Sequence, residues 1–214
     1  MAPDPVRTVW DISQTLRPGL PVWPGDTPFS TGRRWTLGDD SPVTVSRFET
    51  TVHAGTHADA PLHYAATGAS AADVPLDAYV GQCRVVDARG AGEAISRAFV
   101  ERTIVAPPPR VLFRTFTVFP HDRWVDRFTV VEAGAIEALA GLGVRLIGVD
   151  SPSLDPQASK TMDAHLAVLA ADMRVLEGLV LDDVPPGEYE LIALPLKLAG
   201  LDASPVRAIL RSLP

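Results

Sequence analysis

The chain has 214 residues, 46% of them hydrophobic and 21% charged, which is enough to bury the core of a single domain spanning residues 1–214. The formal net charge of −7 excludes a surface that follows nucleic-acid phosphates, because such surfaces need clustered lysine and arginine. No apolar run reaches the length of a membrane span, and the N-terminus lacks the apolar core of a secretory leader. We therefore expect a cytoplasmic protein that binds neither nucleic acid nor membrane.

Twenty prolines and sixteen glycines predict short elements separated by turns. Apolar and β-branched stretches predict strands at residues 43–52, 82–87, 110–115, 144–150, 177–181, 189–194 and 206–210. Apolar residues at helical spacing predict helices over 131–142 and 163–171. Strands that outnumber the helices between them favour an α/β or α+β domain over an all-β sandwich.

The single cysteine, Cys83, excludes an internal disulfide. It lies in the apolar run Cys83–Val86, where a buried structural thiol is expected and a nucleophile is not.

The densest group of candidate ligands lies between His53 and His63, where three of the five histidines accompany one aspartate. His53, Gly55, His57 and Asp59 follow one another at steps of two residues, so their side chains would point to one side of an extended segment. Neutral imidazole and carboxylate are ligands for zinc, and manganese is favoured as oxygen ligands increase. The alternative is that these histidines only cap turns and complete hydrogen bonds.

A second candidate set follows later in the chain. His165 stands near the start of a predicted helix and Glu177 at the start of the predicted strand 177–181. A carboxylate buried there is costly unless a cation or hydrogen bonds compensate it. Asp59 has two oxygens and could bridge the two sets, although His165 could equally be a solvated helix residue and Glu177 a helix cap.

The pattern His-x-Gly-Thr-His-x-Asp-x-Pro-x-His resembles the signature of the cyclase-like metal-dependent hydrolases, and within them the bacterial kynurenine formamidases. Further segments share this resemblance: Val22–Pro28, Asp150–Pro156, Lys160–His165, Leu176–Leu179, Tyr189–Leu196 and Leu201–Pro205. The segments 88–109 and 116–129 do not take part in it.

The resemblance implies a swivelling β/β/α-like fold, a homodimer, and hydrolysis of N-formyl-L-kynurenine to L-kynurenine and formate. It implies two zinc ions in each subunit, one held by His53, His57 and Asp59, and the second by Asp59, His165 and Glu177. His63 would be the general acid and base. Trp23 would lie against the substrate.

Structural roles compete with several of these assignments. Trp23 lies in a proline-rich turn, where tryptophan commonly packs, and His63 could be structural, in which case His63→Ala would cost stability and spare turnover. We expect Asp150, Asp182 and Asp183 to be solvated or to form Asx turns. We expect His121 to be a surface loop residue.

Three functions agree with these features. The first is the formamidase, and the second is a related hydrolase that opens a cyclic amide such as isatin. The third is a metal-binding protein without turnover, which has no use for an additional histidine at position 63. Ser204 and Arg207 are candidates for contact with the amino-acid end of the substrate, or for purely structural roles.

Overall fold

The computed structural model describes residues 7–214. Within that range the chain forms thirteen strands and three α-helices. The strands are β1 (Val9–Asp11), β2 (Ser30–Trp35), β3 (Val45–Glu49), β4 (His57–Asp59), β5 (Val80–Asp87), β6 (Ala94–Ile95), β7 (Arg110–Arg114), β8 (Val130–Val131), β9 (Leu146–Val149), β10 (Arg174–Glu177), β11 (Gly187–Ile192), β12 (Ala203–Pro205) and β13 (Ile209–Ser212). The helices are α1 (Arg97–Thr103), α2 (Ala133–Gly141) and α3 (Asp163–Ala170), with short 3₁₀ turns at Pro61–His63 and Leu76–Ala78.

Nine strands form one sheet in the order β1-β13-β11-β5-β7-β9-β10-β4-β12. The central strands β5, β7, β9 and β10 run parallel, and the strands on both sides pair antiparallel. The two middle strands, β7 and β9, are almost wholly buried, and they are apolar except for Arg110 and Arg114 at the ends of β7, which is typical of parallel strands covered on both faces.

Two buried cores lie on opposite faces of this sheet. On β7, Val111 and Phe113 join the core that contains the helices, whereas Leu112 between them joins the other core. This alternation follows from the two-residue period of a strand. The site described below lies where β10, β4 and β12 form one side of the sheet.

The strand-rich α/β class predicted from the sequence is confirmed. Both predicted helices are present as α2 and α3, and five of the predicted strands overlap β3, β5, β7, β9 and β11. The predicted strand 206–210 overlaps β13 only at residues 209 and 210, because residues 206–208 are not part of a strand. None of the helices in this part of the chain is both long and apolar enough to cross a membrane.

One predicted strand is wrong, and one helix was not predicted. The apolar segment 177–181 was expected to be a strand that begins at Glu177, but β10 ends there. Gly178 takes a φ of +63° and turns the chain, so Leu179 and Leu181 enter the core outside a strand. Helix α1 has only seven residues, and its main local signal is Ser96, whose hydroxyl accepts a hydrogen bond from the Phe99 amide.

Cys83 is fully buried on β5, as expected for a structural thiol. Burial raises the pKa of its thiol to about 12, which keeps it protonated and unreactive near neutral pH.

Candidate metal centre

Strand β4 holds His57 and Asp59 between two antiparallel neighbours. On β10, Glu177 lies opposite His57 in the register, and on β12, Ala203 lies opposite Asp59. The side chain of Ala58 points to the other face and packs in the hydrophobic core. Strand pairing therefore brings Glu177 to His57 although they are distant in sequence.

The expectation that His53 shares one extended segment with His57 is wrong. The strand begins only at His57, and residues 53–56 form a turn in which Gly55 has a φ of +66°. A Cβ at position 55 would come within 2.8 Å of Leu16 Cδ2, so glycine is required for space as well as conformation. The turn still brings His53 Nδ1 to 3.2 Å from Asp59 Oδ1.

The structure brings all five predicted ligand residues together in two groups that share Asp59. In the first group, His57 Nε2 lies 3.3 Å from Asp59 Oδ1, the same oxygen that faces His53. In the second, His165 Nε2 lies 3.3 Å from Asp59 Oδ2 and 3.4 Å from Glu177 Oε1. One oxygen of Asp59 therefore faces each group.

These residues fit divalent cations. Two buried atoms at the centre, His57 Nε2 and Asp59 Oδ1, have no hydrogen-bond partner within residues 7–214. A buried polar atom without a partner is costly, and a cation between these atoms would remove that cost. The nitrogen and oxygen donors form a set that zinc and manganese accept.

Hydrogen bonds on the outer ring nitrogens set the tautomers of the histidines. His57 Nδ1 donates to the carbonyl oxygen of Gly55 at 3.0 Å, and His165 Nδ1 donates to Asp155 Oδ2 at 2.6 Å. His53 has the opposite arrangement, because its Nε2 donates to Asp202 Oδ2 at 2.9 Å. Each ring therefore presents a nitrogen lone pair toward the centre.

The buried charges shift one another's pKa values. Burial alone would lower the pKa of His57, but its contacts with Asp59 and Glu177 outweigh burial and raise it to about 10. Burial likewise opposes a raised pKa at His165, and the hydrogen bond with Asp155 leads the contacts that reverse it. For Asp59, the histidine contacts overcome burial and hold the pKa well below its usual value. Protons and cations thus compete for the same nitrogens.

His63 lies at the end of the 3₁₀ turn Pro61–His63, beside the two groups. Its ring centre is 4.3 Å from that of His53 and 6.0 Å from that of His165. Its Nδ1 lies 3.2 Å from Asp202 Oδ2, so Asp202 contacts both His53 and His63.

Asp202 and Asp155 were not singled out from the sequence, although both lie in segments that carried the resemblance. Their only local signal is proximity to small residues and proline in loops. Asp155 contacts His165, ten residues further along the chain, and Asp202 contacts His63, which lies 139 residues before it.

A cavity of about 340 Å³ has His53, His57, His63 and Glu177 in its lining. Its wall includes Trp23, whose ring meets that of Trp124 edge to face with ring centres 5.4 Å apart. Trp124 Nε1 donates to Gln157 Oε1 at 2.8 Å. Trp124 belongs to the segment 116–129 that took no part in the resemblance, so sequence comparison with a known motif could not select it.

The residues excluded from the predicted site have identifiable roles. The expectation that Asp150 is solvated is wrong: it is buried and accepts hydrogen bonds from the amides of Thr115 and Phe116. Asp182 accepts a hydrogen bond from the Phe119 amide, which holds the loop after β7 at a second point. His121 is exposed, as predicted.

Ser204 and Arg207 do not line the cavity. The Ser204 hydroxyl is buried against the backbone near Leu196, and Arg207 pairs with Asp11. These contacts agree with the structural alternative for both residues.

Comparisons with known proteins agree with this geometry. Residues 10–156 match the family model described as "Putative cyclase". A curated kynurenine formamidase from Erythrobacter litoralis is 57% identical over 208 residues, which cover 97% of this chain and 95% of that protein.

Solved structures extend the likeness to the fold. A structure described as a potential metal-dependent hydrolase with cyclase activity aligns with a TM-score of 0.84 and 31% identity over 98% of this chain and all of that one. Isatin hydrolase A from Ralstonia solanacearum aligns with a TM-score of 0.81 and 26% identity over 97% of this chain and 92% of that chain. The chain therefore belongs to the cyclase family, in the group that contains the bacterial kynurenine formamidases.

Proposed function

We propose that this protein is a kynurenine formamidase that hydrolyses N-formyl-L-kynurenine to L-kynurenine and formate. The observation that carries the proposal is the position of His63, which lies beside two groups of candidate metal ligands and lines a cavity with Trp23 and Trp124. The 57% identity to a curated kynurenine formamidase supports the choice of substrate.

Two zinc ions would be held by the two groups, one by His53, His57 and Asp59, and the other by Asp59, His165 and Glu177. Asp59 would bridge them, since one of its oxygens faces each group. Manganese suits the same donors. When bound, the ions would supply Lewis acidity that activates water near neutral pH and polarises the formyl carbonyl.

His63 would act as the proton carrier. Asp202 Oδ2 accepts a hydrogen bond from His63 Nδ1–H, which leaves the Nε2 lone pair available to the cavity. Nε2 would accept a proton from the water whose oxygen attacks the formyl carbon, and would return it to the aryl nitrogen as the C–N bond breaks. Formate and the free aryl amine are then the products.

The aryl ring of the substrate would lie against Trp23 and Trp124. Their edge-to-face contact forms a rigid apolar wall on the cavity that also contains His63. Aromatic side chains bury a large area at low cost in conformational entropy, which suits a planar anilide.

The assembly proposed is a homodimer of single-domain subunits, each spanning residues 1–214, in the cytoplasm. The hairpin β2–β3 supports dimerisation, because it projects apolar side chains that are exposed in one subunit: Trp35, Leu37 and Phe48 are 54%, 65% and 63% exposed. Apolar surface concentrated in this way is typical of a protein–protein contact.

Hydrolysis of a cyclic amide is the second candidate, supported by the structural likeness to isatin hydrolase A. The same donors and the same histidine would serve both reactions. The identity of 26% to that enzyme, against 57% to the formamidase, favours the linear formamide. A metal-binding protein without turnover is disfavoured, since it would need neither His63 nor the cavity.

The test compares purified protein on N-formyl-L-kynurenine and on isatin, before and after chelation and with zinc or manganese restored. We expect hydrolysis of the formamide that is lost on chelation and returns with metal. Full activity in protein shown to be metal-free would contradict the metal assignment. Hydrolysis of isatin alone would favour the second candidate.

His63→Ala tests the proton carrier. We expect kcat to fall by about 10² to 10⁴ with bound metal and melting temperature unchanged, because the side chain is partly exposed and does not belong to the two groups that share Asp59. The matched control is His121→Ala, which removes an exposed histidine that does not line the cavity. Loss of stability with retained kcat would instead assign His63 a structural role.

A further inference from the structure

The loop that follows β7 is held firmly over the cavity. Its start is fixed by Asp150, which accepts from the amides of Thr115 and Phe116, and its middle by Asp182, which accepts from the Phe119 amide. The loop therefore presents the next residues to the cavity from a defined backbone.

Two arginines lie at this loop, and among the described residues only one of them is paired with a carboxylate. Arg17 forms an ion pair with Asp122. Arg123, the next residue, lines the cavity and forms no ion pair with any carboxylate in residues 7–214. An arginine that lines a cavity and has no carboxylate partner is available to an anionic ligand.

A carboxylate without an ion pair lies on the cavity wall near the other tryptophan. Asp26 closes a turn in which its amide donates to the carbonyl oxygen of Trp23, and within the described chain no cationic side chain pairs with it. Trp23 contacts Trp124, and Asp26 and Arg123 line the same cavity, so the cavity with the aromatic pair also has one cationic and one anionic side chain in its lining.

This arrangement matches a zwitterion attached to an aryl group. We infer that Arg123 binds the α-carboxylate of the substrate and Asp26 its α-ammonium group, so that both select an aryl formamide with an α-amino-acid side chain. The inference rests on the proposed function and identifies the part of the substrate that His63 and the metal donors do not contact. Arg123 and Asp26 are binding residues, because the groups they contact do not react.

The experiment compares two formamides that share the ring, the ketone and the scissile bond. N-formyl-L-kynurenine carries the amino-acid group, and 2-formamidoacetophenone lacks it. For Arg123→Gln, we expect kcat/KM on the zwitterion to fall about 10- to 100-fold through a higher KM, since a charge-assisted pair stabilises ground and transition states alike. Activity on the truncated formamide should stay within about threefold.

Asp26→Asn is tested with the analogue that keeps the carboxylate and lacks the ammonium group. We expect the variant to lose kcat/KM on N-formyl-L-kynurenine and to match the unmodified protein on this deaminated analogue. Arg127→Gln, which removes a nearby arginine that does not line this cavity, is the control and should leave both substrates unaffected.

The outcomes separate this inference from the proposed function. Equal losses on both formamides in Arg123→Gln would show that Arg123 supports the cavity and does not bind the carboxylate. Unchanged kinetics on N-formyl-L-kynurenine would overturn the inference and leave the formamidase proposal intact. If the unmodified protein with metal hydrolysed neither formamide, the proposed function itself would fail, and the inference with it.

Discussion

At the scale of single residues, the site depends on acceptors behind its histidines. Asp155 fixes the Nδ1 proton of His165, and Asp202 fixes one ring proton on each of His53 and His63. A histidine held in one tautomer and orientation binds a cation without first reorganising, and losing such a partner typically weakens metal affinity 10- to 100-fold. Both aspartates are therefore part of the site although they touch no proposed ion.

Asp155→Asn should raise the dissociation constant for zinc by about 10- to 100-fold, measured by competition with a chelator of known affinity. The asparagine side chain is a weaker hydrogen-bond acceptor for His165 than the carboxylate. The substitution also weakens the hydrogen bonds from the backbone amides of Ala164 and His165 at the start of α3. We expect a further loss of about 1 kcal/mol in the free energy of unfolding.

The matched control is Asp163→Asn. Asp163 is exposed in the first turn of the same helix and is not hydrogen-bonded to His165 in the described structure. This variant should bind zinc as tightly as the unmodified protein. Equal weakening in both variants would mean that helix charge, and not the orientation of His165, controls affinity.

At the scale of elements, strand β4 joins the two ligand groups through its position between β10 and β12. Glu177 ends β10, and Gly178 then turns the chain so that its carbonyl accepts from Thr56 Oγ1 at 2.6 Å and from Gln14 Nε2 at 2.9 Å. These bonds tie the ligand strand to the turn that carries His53.

Gly178→Ala should lower the free energy of unfolding by about 1 to 3 kcal/mol, measured by urea denaturation. The backbone has a φ of +63°, and an added Cβ would lie 2.7 Å from the Gly55 carbonyl oxygen and 2.6 Å from Gln14 Nε2. Displacement of Gly55 should also weaken metal binding, because Gly55 orients His57.

Gly141→Ala is the control for that change. Gly141 closes helix α2, has ordinary helical backbone, and has open space around its Cβ position. Alanine is the better helix former there, so this variant should be as stable as the unmodified protein or slightly more so. A similar loss in both variants would contradict the explanation from φ and contact.

At the scale of the whole molecule, the buried cluster links stability to pH and metal. In metal-free protein, protonated His57 and His165 stabilise the fold, because their pKa values are raised. This stabilisation is complete below about pH 6.5 and is lost as pH rises, for His57 through about pH 10. The lowered pKa values of Asp59 and Glu177 contribute stability above about pH 4.5, which is lost as pH falls further. The cluster therefore favours the metal-free fold most between about pH 4.5 and 6.5.

Zinc should raise the melting temperature more at about pH 8 than at about pH 5.5, measured by calorimetry with and without metal. At the higher pH fewer protons compete for the histidine nitrogens, and the metal-free protein has begun to lose the stabilisation of its protonated histidines. The variant His57→Gln should reduce this difference between the two pH values. An equal gain at both would show that proton competition at these histidines does not control binding.

The sequence by itself determined the ligand types and the general class of the fold. The spacing of His57 and Asp59 on one strand, and the apolar periodicity of α2 and α3, are local patterns that the physics of strands and helices makes readable, whereas His53 reaches the site through a turn. The segment 177–181 shows the limit of prediction from local patterns, because an apolar run is compatible with a strand or with a buried turn. Here the positive φ of Gly178 turns the chain, and the strand ends at Glu177.

Only the tertiary structure decided which distant residues meet. Glu177 reaches His57 through antiparallel register, Asp155 reaches His165 across a loop, and Asp202 reaches His63 from far along the chain. Trp124 and Arg123 line the cavity from a loop that the carboxylates of Asp150 and Asp182 hold in place. Such contacts depend on sheet pairing and on the burial of charges that find partners, which no local pattern of residues encodes.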